Sequence, residues 1–153
     1  MMEEGQRAPD CRLELAGSGF RTLDELLADG PVLLAFYKVT CPTCQLALPY
    51  LARLEGGPIR VVAVCQDSAE RARDFADAFE VELENLFDTA GAGYPASNAF
   101  GVAYVPSMYL VEPDRLISWA CVGFHRSKLE QLAARAGRVM FSAGDRAPES
   151  KPG

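Results

Sequence analysis

Residues 31–51, "PVLLAFYKVTCPTCQLALPYL", place a Cys-Pro-Thr-Cys turn between an unbroken apolar run and a helix-like pattern. The apolar run at 31–37 shows no alternation with polar residues, which is typical of a strand buried on both faces of a sheet. Pro42 suits the first turn of a helix, where its missing N–H is no loss. These features constrain the chain to an α/β architecture with a thiol pair at a strand-to-helix junction.

Strand and helix patterns alternate along the rest of the chain. Thr22 and Glu25, and again Asp67 and Glu70, have the spacing of a capping box at a helix start. A Pro-Asp turn joins the last two strands, which predicts an antiparallel hairpin. The order predicts a three-layer α/β sandwich in which parallel strands lead into that hairpin. The predicted strands are 11–15, 31–37, 59–65, 85–88, 107–113 and 115–123, and the predicted helices are 22–30, 42–55, 67–80, 95–101 and 127–137.

Length and composition indicate a single domain. A chain of 153 residues with 49% apolar residues can fill one ordinary core. The last residues, "GDRAPESKPG", are polar and rich in Gly and Pro. We therefore predict one domain at 1–137 and a flexible C-terminal tail at 138–153.

Charge and hydropathy exclude several kinds of partner. The net charge of −6 argues against a general affinity for nucleic acid or for an anionic membrane surface. No run approaches the roughly 18 apolar residues that a membrane span requires. The opening "MMEEGQRAPDCRLEL" is acidic and lacks the apolar stretch of a signal peptide. We expect a cytoplasmic protein that binds neither nucleic acid nor membrane.

The five cysteines carry most of the chemical information. An odd number cannot form a fully paired framework, and in a reducing compartment a close pair is catalytic or metal-binding more often than structural. Cys41 is predicted at a helix N-terminus, where free amide N–H groups and the macrodipole stabilise a thiolate. Cys44 lies one helical turn on, with its sulfur beside that of Cys41 but deeper. An exposed nucleophile with a shielded partner is what disulfide exchange requires.

A zinc site is the competing interpretation, because Cys-x-x-Cys is also half of a tetrahedral zinc site. The other ligands would have to come from Cys11, Cys65, Cys121 or His125, and none of these forms a second close pair. Redox chemistry is therefore the stronger interpretation, with no metal and no other cofactor.

The chain resembles a known group of proteins. The stretch at 31–51, followed by "VVAVCQDS" and "GVAYVPSMYLVEPDRLISWACVGF", is similar to TlpA/ResA-like thiol-disulfide oxidoreductases and AhpC/TSA-type redoxins of the thioredoxin superfamily. The likeness covers roughly residues 7–137 and includes the N-terminal extension "GQRAPDCRLELAGSGFRTLDELL". It implies a thioredoxin-like three-layer α/β/α sandwich with a mixed central sheet.

The resemblance also implies roles for individual residues. Cys41 would be the attacking thiol, Cys44 the resolving thiol, and Pro106 a cis-proline lying against both. Val105 would offer backbone hydrogen bonds to a bound partner chain. The implied substrate is a disulfide- or thiol-bearing protein or small molecule, with a thiol reductant as electron donor. The full substrate-binding set predicted on this basis is Thr40, Pro42, Thr43, Val105 and Pro106.

The departures from the family pattern keep two alternatives open. Relatives carry an acid near the resolving thiol, where this chain has Ala35 and Ala47, and a Trp where it has Thr40. A peroxiredoxin-like antioxidant peroxidase would need a Thr three residues before its cysteine, where this chain has Lys38, and an Arg such as Arg126. The missing acids favour a non-enzymatic, redox-sensing binding module as the other alternative.

Overall fold

The computed structural model describes all 153 residues and contains nine strands, five α-helices and two short 3₁₀ helices, Ala52–Leu54 and Ala90–Ala92. The strands are β1 (Arg12–Glu14), β2 (Phe20–Thr22), β3 (Val32–Tyr37), β4 (Arg60–Cys65), β5 (Glu84–Phe87), β6 (Ser107–Val111), β7 (Ile117–Val122), β8 (Phe124–His125) and β9 (Ser150–Lys151). The helices are α1 (Leu23–Leu26), α2 (Pro42–Leu51), α3 (Ala69–Phe79), α4 (Pro95–Phe100) and α5 (Arg126–Arg135).

Seven of the strands form one mixed sheet in the order β2-β1-β5-β4-β3-β6-β7. Strand β3 lies in its interior, parallel to β4 on one side and antiparallel to β6 on the other. Strands β6 and β7 form the antiparallel hairpin that the Pro-Asp turn predicted. The mixed central sheet is therefore confirmed.

Helices cover both faces of the sheet. All six residues of β3 are buried, because their side chains alternate between two apolar clusters. On one face β3 packs against α2, α3 and α5 through residues such as Leu48, Phe75 and Leu132. On the other face it packs against α1 and α4 through Leu26 and Phe100. This is the predicted three-layer sandwich, and none of its helices has the length and apolar character that crossing a membrane demands.

The predicted helix starts were partly right. Thr22 and Glu25 form a complete capping box at α1, as expected. The capping box predicted at Asp67 is wrong, because Ser68 is the N-cap residue of α3. The Asp67 carboxylate, just after β4, instead accepts a hydrogen bond at 2.9 Å from the N–H of Val39, just after the neighbouring strand β3.

The N-terminal extension contacts both ends of the main sheet. Strands β1 and β2 pair with each other, and β1 also pairs with β5. Before them, the Gly5 N–H donates to the Ile117 carbonyl at 2.8 Å, and the Ile117 N–H donates to the Gln6 carbonyl at 2.9 Å. The extension thus passes the start of β7 before it crosses to the β5 side.

Residues 138–153 lie against the domain. Phe141 packs its ring on Tyr50, with 4.7 Å between centroids. Asp145 forms a salt bridge with Arg53 at 2.7 Å, and β9 then pairs with β8 in a separate two-stranded sheet. The sequence did not predict this pairing, and the flexibility expected of the tail stays a prediction.

Candidate active site

Cys41 lies at the junction between β3 and α2. It is the N-cap residue of α2, and its Sγ accepts a hydrogen bond from the Cys44 N–H at 3.2 Å. Pro42 follows at the first helical position, where it disturbs no hydrogen bond. The predicted position of Cys41 at a helix N-terminus is confirmed. There the Cys44 N–H, which has no partner within the helix, can stabilise a developing thiolate on Cys41.

Two side chains hold the loop that precedes Cys41. The Val39 N–H donates to the Asp67 carboxylate at 2.9 Å, and the Gln45 side-chain amide donates to the Val39 carbonyl at 3.0 Å. The Cys41 N–H closes a turn onto the Lys38 carbonyl at 3.2 Å. Sequence reasoning missed Asp67 and Gln45 as site residues, because an Asp before a helix is indistinguishable from an ordinary cap.

Cys44 occupies an apolar environment beneath Cys41. Its side chain is fully buried, and Ala35 and Ala47 are fully buried in the same cluster. Burial raises the pKa of the Cys44 thiol well above its usual range, and the adjacent Cys41 sulfur raises it further. The two sulfurs are therefore chemically unequal, as the sequence predicted.

The Val105–Pro106 peptide bond is cis, as the resemblance implied. The Cys41 thiol donates a hydrogen bond to the Val105 carbonyl at 3.4 Å, which brings this segment directly beside the nucleophile. On the other side, the Gly123 N–H donates to the Pro106 carbonyl at 2.8 Å. Cys41, Val105 and Pro106 are thus brought together in one site.

A cavity of about 380 Å³ opens beside Cys41. Polar and aromatic side chains share its wall with the thiol, and Lys38 is the cation among them. The Gln66 amide donates to the Ser97 hydroxyl at 2.8 Å, which fixes part of that wall. The cavity has room for a small sulfur compound. Its remaining aromatic wall is formed by Tyr94 and Tyr104.

The other predicted substrate-binding residues differ in exposure. Thr40 and Pro42 are exposed on the rim of the site. Thr43 is buried, and its hydroxyl donates to the Pro152 carbonyl at 2.6 Å, a contact with the end of the tail. The contribution of these three residues to substrate binding stays a prediction.

The remaining cysteines lie outside the pair. Cys65 and Cys121 are buried, and Cys11 is partly exposed on the N-terminal extension. No group of three or more His, Cys, Asp or Glu side chains in the structure is arranged to hold a metal ion. The zinc interpretation therefore lacks a third ligand for Cys41 and Cys44.

Comparisons with known proteins agree with this geometry. The model of the AhpC/TSA family matches residues 5–120. The chain is 25% identical to a protein assigned as the thiol:disulfide interchange protein DsbE of Chlorobium tepidum, with a TM-score of 0.72 over 89% of this chain and 99% of that chain. A search of curated proteins gave no match.

Two further structures share the fold. The thioredoxin domain of the thiol-disulfide oxidoreductase BVU-2223 from Bacteroides vulgatus is 15% identical, with a TM-score of 0.74 over 88% of this chain and 98% of that chain. Peroxidoxin BcpB from Mycobacterium tuberculosis is 21% identical, with a TM-score of 0.65 over 79% of this chain and 86% of that chain.

A thioredoxin-like sandwich with a paired dithiol at a helix N-terminus, beside a cis-proline, defines the class of thiol-disulfide oxidoreductases, and this protein is an enzyme of that class. The family match spans well over half of the sequence. The chain belongs to the AhpC/TSA family.

Proposed function

We propose that the enzyme exchanges disulfides through Cys41 as nucleophile and Cys44 as resolving thiol. The observation that carries this assignment is the unequal exposure of the two sulfurs. Cys41 is partly exposed and opens into the cavity, whereas Cys44 is fully buried with a raised pKa. Only Cys41 is positioned to meet a substrate sulfur first.

The exchange proceeds in two steps. Cys41 loses its proton and attacks one sulfur of the substrate disulfide, so that a mixed disulfide forms and the other substrate sulfur leaves as a thiolate that is then protonated. Cys44 then loses its proton and attacks the Cys41 sulfur, which forms the Cys41–Cys44 disulfide and releases the second substrate thiol. Two electrons pass to the substrate. A thiol reductant then supplies two electrons to the Cys41–Cys44 disulfide by the reverse exchange, so that both cysteines are thiols again and the reductant becomes a disulfide.

The partners and the location belong to the same proposal. A disulfide- or thiol-bearing protein or small molecule is the substrate class, which is supported by the similarity to the thiol:disulfide interchange protein DsbE of Chlorobium tepidum. We propose a cytoplasmic location, because five cysteines cannot form a fully paired disulfide framework and a close cysteine pair in a reducing compartment is typically catalytic. Separation of cell fractions, followed by detection of the protein, tests this placement.

A reversible Cys41–Cys44 disulfide is the first expected result. Mild oxidation should remove two hydrogens from the protein mass and protect both thiols from alkylation, because their sulfurs share one helical turn. A dithiol reductant should restore both thiols. Mass mapping of the alkylated peptides checks the location of the bond. A pair that stayed reduced and bound one equivalent of zinc would contradict the proposal.

Peroxide reduction is the second candidate, since a peroxidoxin shares the fold. The position three residues before Cys41 is Lys38, and Arg126, the Arg considered for thiolate stabilisation, is engaged elsewhere. Its guanidinium contacts Glu130 at 3.3 Å and lies 4.9 Å from the centroid of the Phe141 ring. This geometry favours disulfide exchange. Peroxide consumption faster than disulfide turnover would reverse that order.

A further inference from the structure

Residues 149–153, here called the strap, run along the active site. Strand β9 pairs antiparallel with β8, and the Arg126 N–H donates to the Glu149 carbonyl at 2.8 Å. Beyond β9 the chain continues through Pro152 to Gly153, which lines the cavity beside Cys41. The strap therefore extends from its pairing with β8 to the cavity that contains the Cys41 sulfur.

The contacts at the end of the strap involve site residues. The Thr43 hydroxyl, inside the Cys-x-x-Cys turn, donates to the Pro152 carbonyl at 2.6 Å. Gly153 lies against Val105 so closely that a β-carbon on it would come within 2.7 Å of the Val105 carbonyl oxygen. That oxygen is the one that accepts the hydrogen bond from the Cys41 thiol. The end of the strap thus lies against the backbone carbonyl to which the nucleophile is hydrogen-bonded.

Gly123 leaves room for this approach. Its φ of +77° lies in the left-handed region that favours glycine. A β-carbon there would come within 2.8 Å of the Lys151 carbonyl oxygen and 2.9 Å of the Gly153 nitrogen, and the three atoms nearest to that position all belong to the strap. The backbone of the strap therefore packs directly against Gly123, in space that any other side chain at this position would fill.

An extended protein substrate would need the same surface. A chain that delivers a disulfide to Cys41 along β8 can bind by adding a strand to the backbone of β8 and Val105. The strap already makes that addition from within the molecule, so the two chains exclude each other. The cavity lined by Lys38 and Tyr104, by contrast, stays open beside Cys41 with the strap in place. A small disulfide can reach the sulfur by that route.

We propose that the strap is an intramolecular competitor of protein substrates, and that it sets a preference for small disulfides. This inference rests on the disulfide exchange proposed above and concerns its substrate class. The strap is held by a two-residue strand pairing, by the backbone hydrogen bond from Arg126 to Glu149 and by one hydroxyl hydrogen bond, and most of its residues are exposed. It is therefore displaceable. Competition of this kind raises the KM of a protein disulfide and leaves kcat nearly unchanged.

The test uses the full chain with Lys151→Pro, because proline has no backbone N–H for the pairing opposite Phe124. We expect the KM for insulin disulfides to fall about tenfold, the effect of one or two net hydrogen bonds. The rate with 2-hydroxyethyl disulfide should stay within about twofold. Lys151→Ala loses the same charge but keeps the N–H, so it should retain the wild-type preference between the two substrates.

A second variant tests the same inference without introducing a proline, in case Lys151→Pro misfolds. A chain that ends at Pro148 loses no buried residue and should show the same fall in KM as Lys151→Pro. A synthetic peptide of sequence "APESKPG", at millimolar concentration, should raise the KM of this shortened enzyme for insulin again. Equal KM values in all variants, with activity on both substrates, would overturn the strap inference alone. No exchange with either substrate, despite reduced cysteines, would overturn the proposed function as well.

Discussion

Replacing Cys44 with serine is expected to turn the enzyme into a trap that retains its substrate as a mixed disulfide. Cys41 can still attack, but no second thiol remains to release the product. Cys41→Ser should form no mixed disulfide, because an alcohol does not replace a thiolate and Cys44 is fully buried. Turnover should fall in both variants by at least about 10³-fold, as when one member of a reacting unit is removed. Non-reducing electrophoresis with mass mapping measures the trapping.

A cysteine outside the pair provides the control. Cys65 is buried at the end of β4 and takes no part in the proposed exchange, so Cys65→Ala should retain turnover. Equal trapping by Cys41→Ser and Cys44→Ser would show that the nucleophile and the resolving thiol are wrongly assigned. Trapping that also required Cys65 would point to a third redox thiol.

Ala47→Glu is expected to accelerate the resolving step by about 10²-fold at neutral pH, the lower range of general-base effects. Cys44 must lose a proton before it attacks, and burial disfavours its thiolate. ResA-like proteins place a Glu at this position, whereas the buried cluster that contains Cys44 here has Ala35 and Ala47. The introduced carboxylate would accept the proton. Single-turnover release of product from the mixed disulfide measures the step.

The gain should depend on pH in a defined direction. Because the pKa of Cys44 is raised, little of it is thiolate at neutral pH, and the wild-type rate should increase as the pH rises. The advantage of Ala47→Glu should therefore be largest near neutrality and shrink toward alkaline pH, where the thiolate forms unaided. A rate unchanged over this range would show that another base already serves Cys44.

Ala47→Gln is the matched control for this experiment. Ala47 is fully buried, so either longer side chain should lower the free energy of unfolding by about 1–3 kcal/mol through overpacking. Gln has nearly the size of Glu but accepts no proton at these pH values, so it should reproduce the loss of stability without the gain in rate. Thermal unfolding of both variants separates the two effects.

The central part of the fold could be predicted because its signals are local. An unbroken apolar run predicts a strand buried on both faces, and Pro42 after a cysteine predicts a helix start; the structure has both. The Thr22–Glu25 capping box was found for the same reason. The cis bond before Pro106 came from the family resemblance, since most X–Pro bonds in folded proteins are trans.

The missed features depend on contacts between distant parts of the chain. Strands β8 and β9 have two residues each, too few to show an alternating pattern. Thr43 and Pro152 are 109 positions apart, and neither residue type predicts a hydrogen bond to the other. Asp67 has the spacing of a helix cap, although its carboxylate is directed to Val39. Tertiary structure decided each of these cases.

The path of the N-terminal extension has a consequence for association between molecules. A strand edge with free N–H and C=O groups is a template on which other chains can add and aggregate. Here Gly5 and Gln6 hydrogen-bond to Ile117, the first residue of β7, and β1 pairs with β5. The terminal strand on that side, β2, has only three residues, one of them Arg21. The extension therefore covers the start of the β7 edge and replaces β5 by the short strand β2 at the opposite edge, which leaves a shorter template for edge-to-edge self-association.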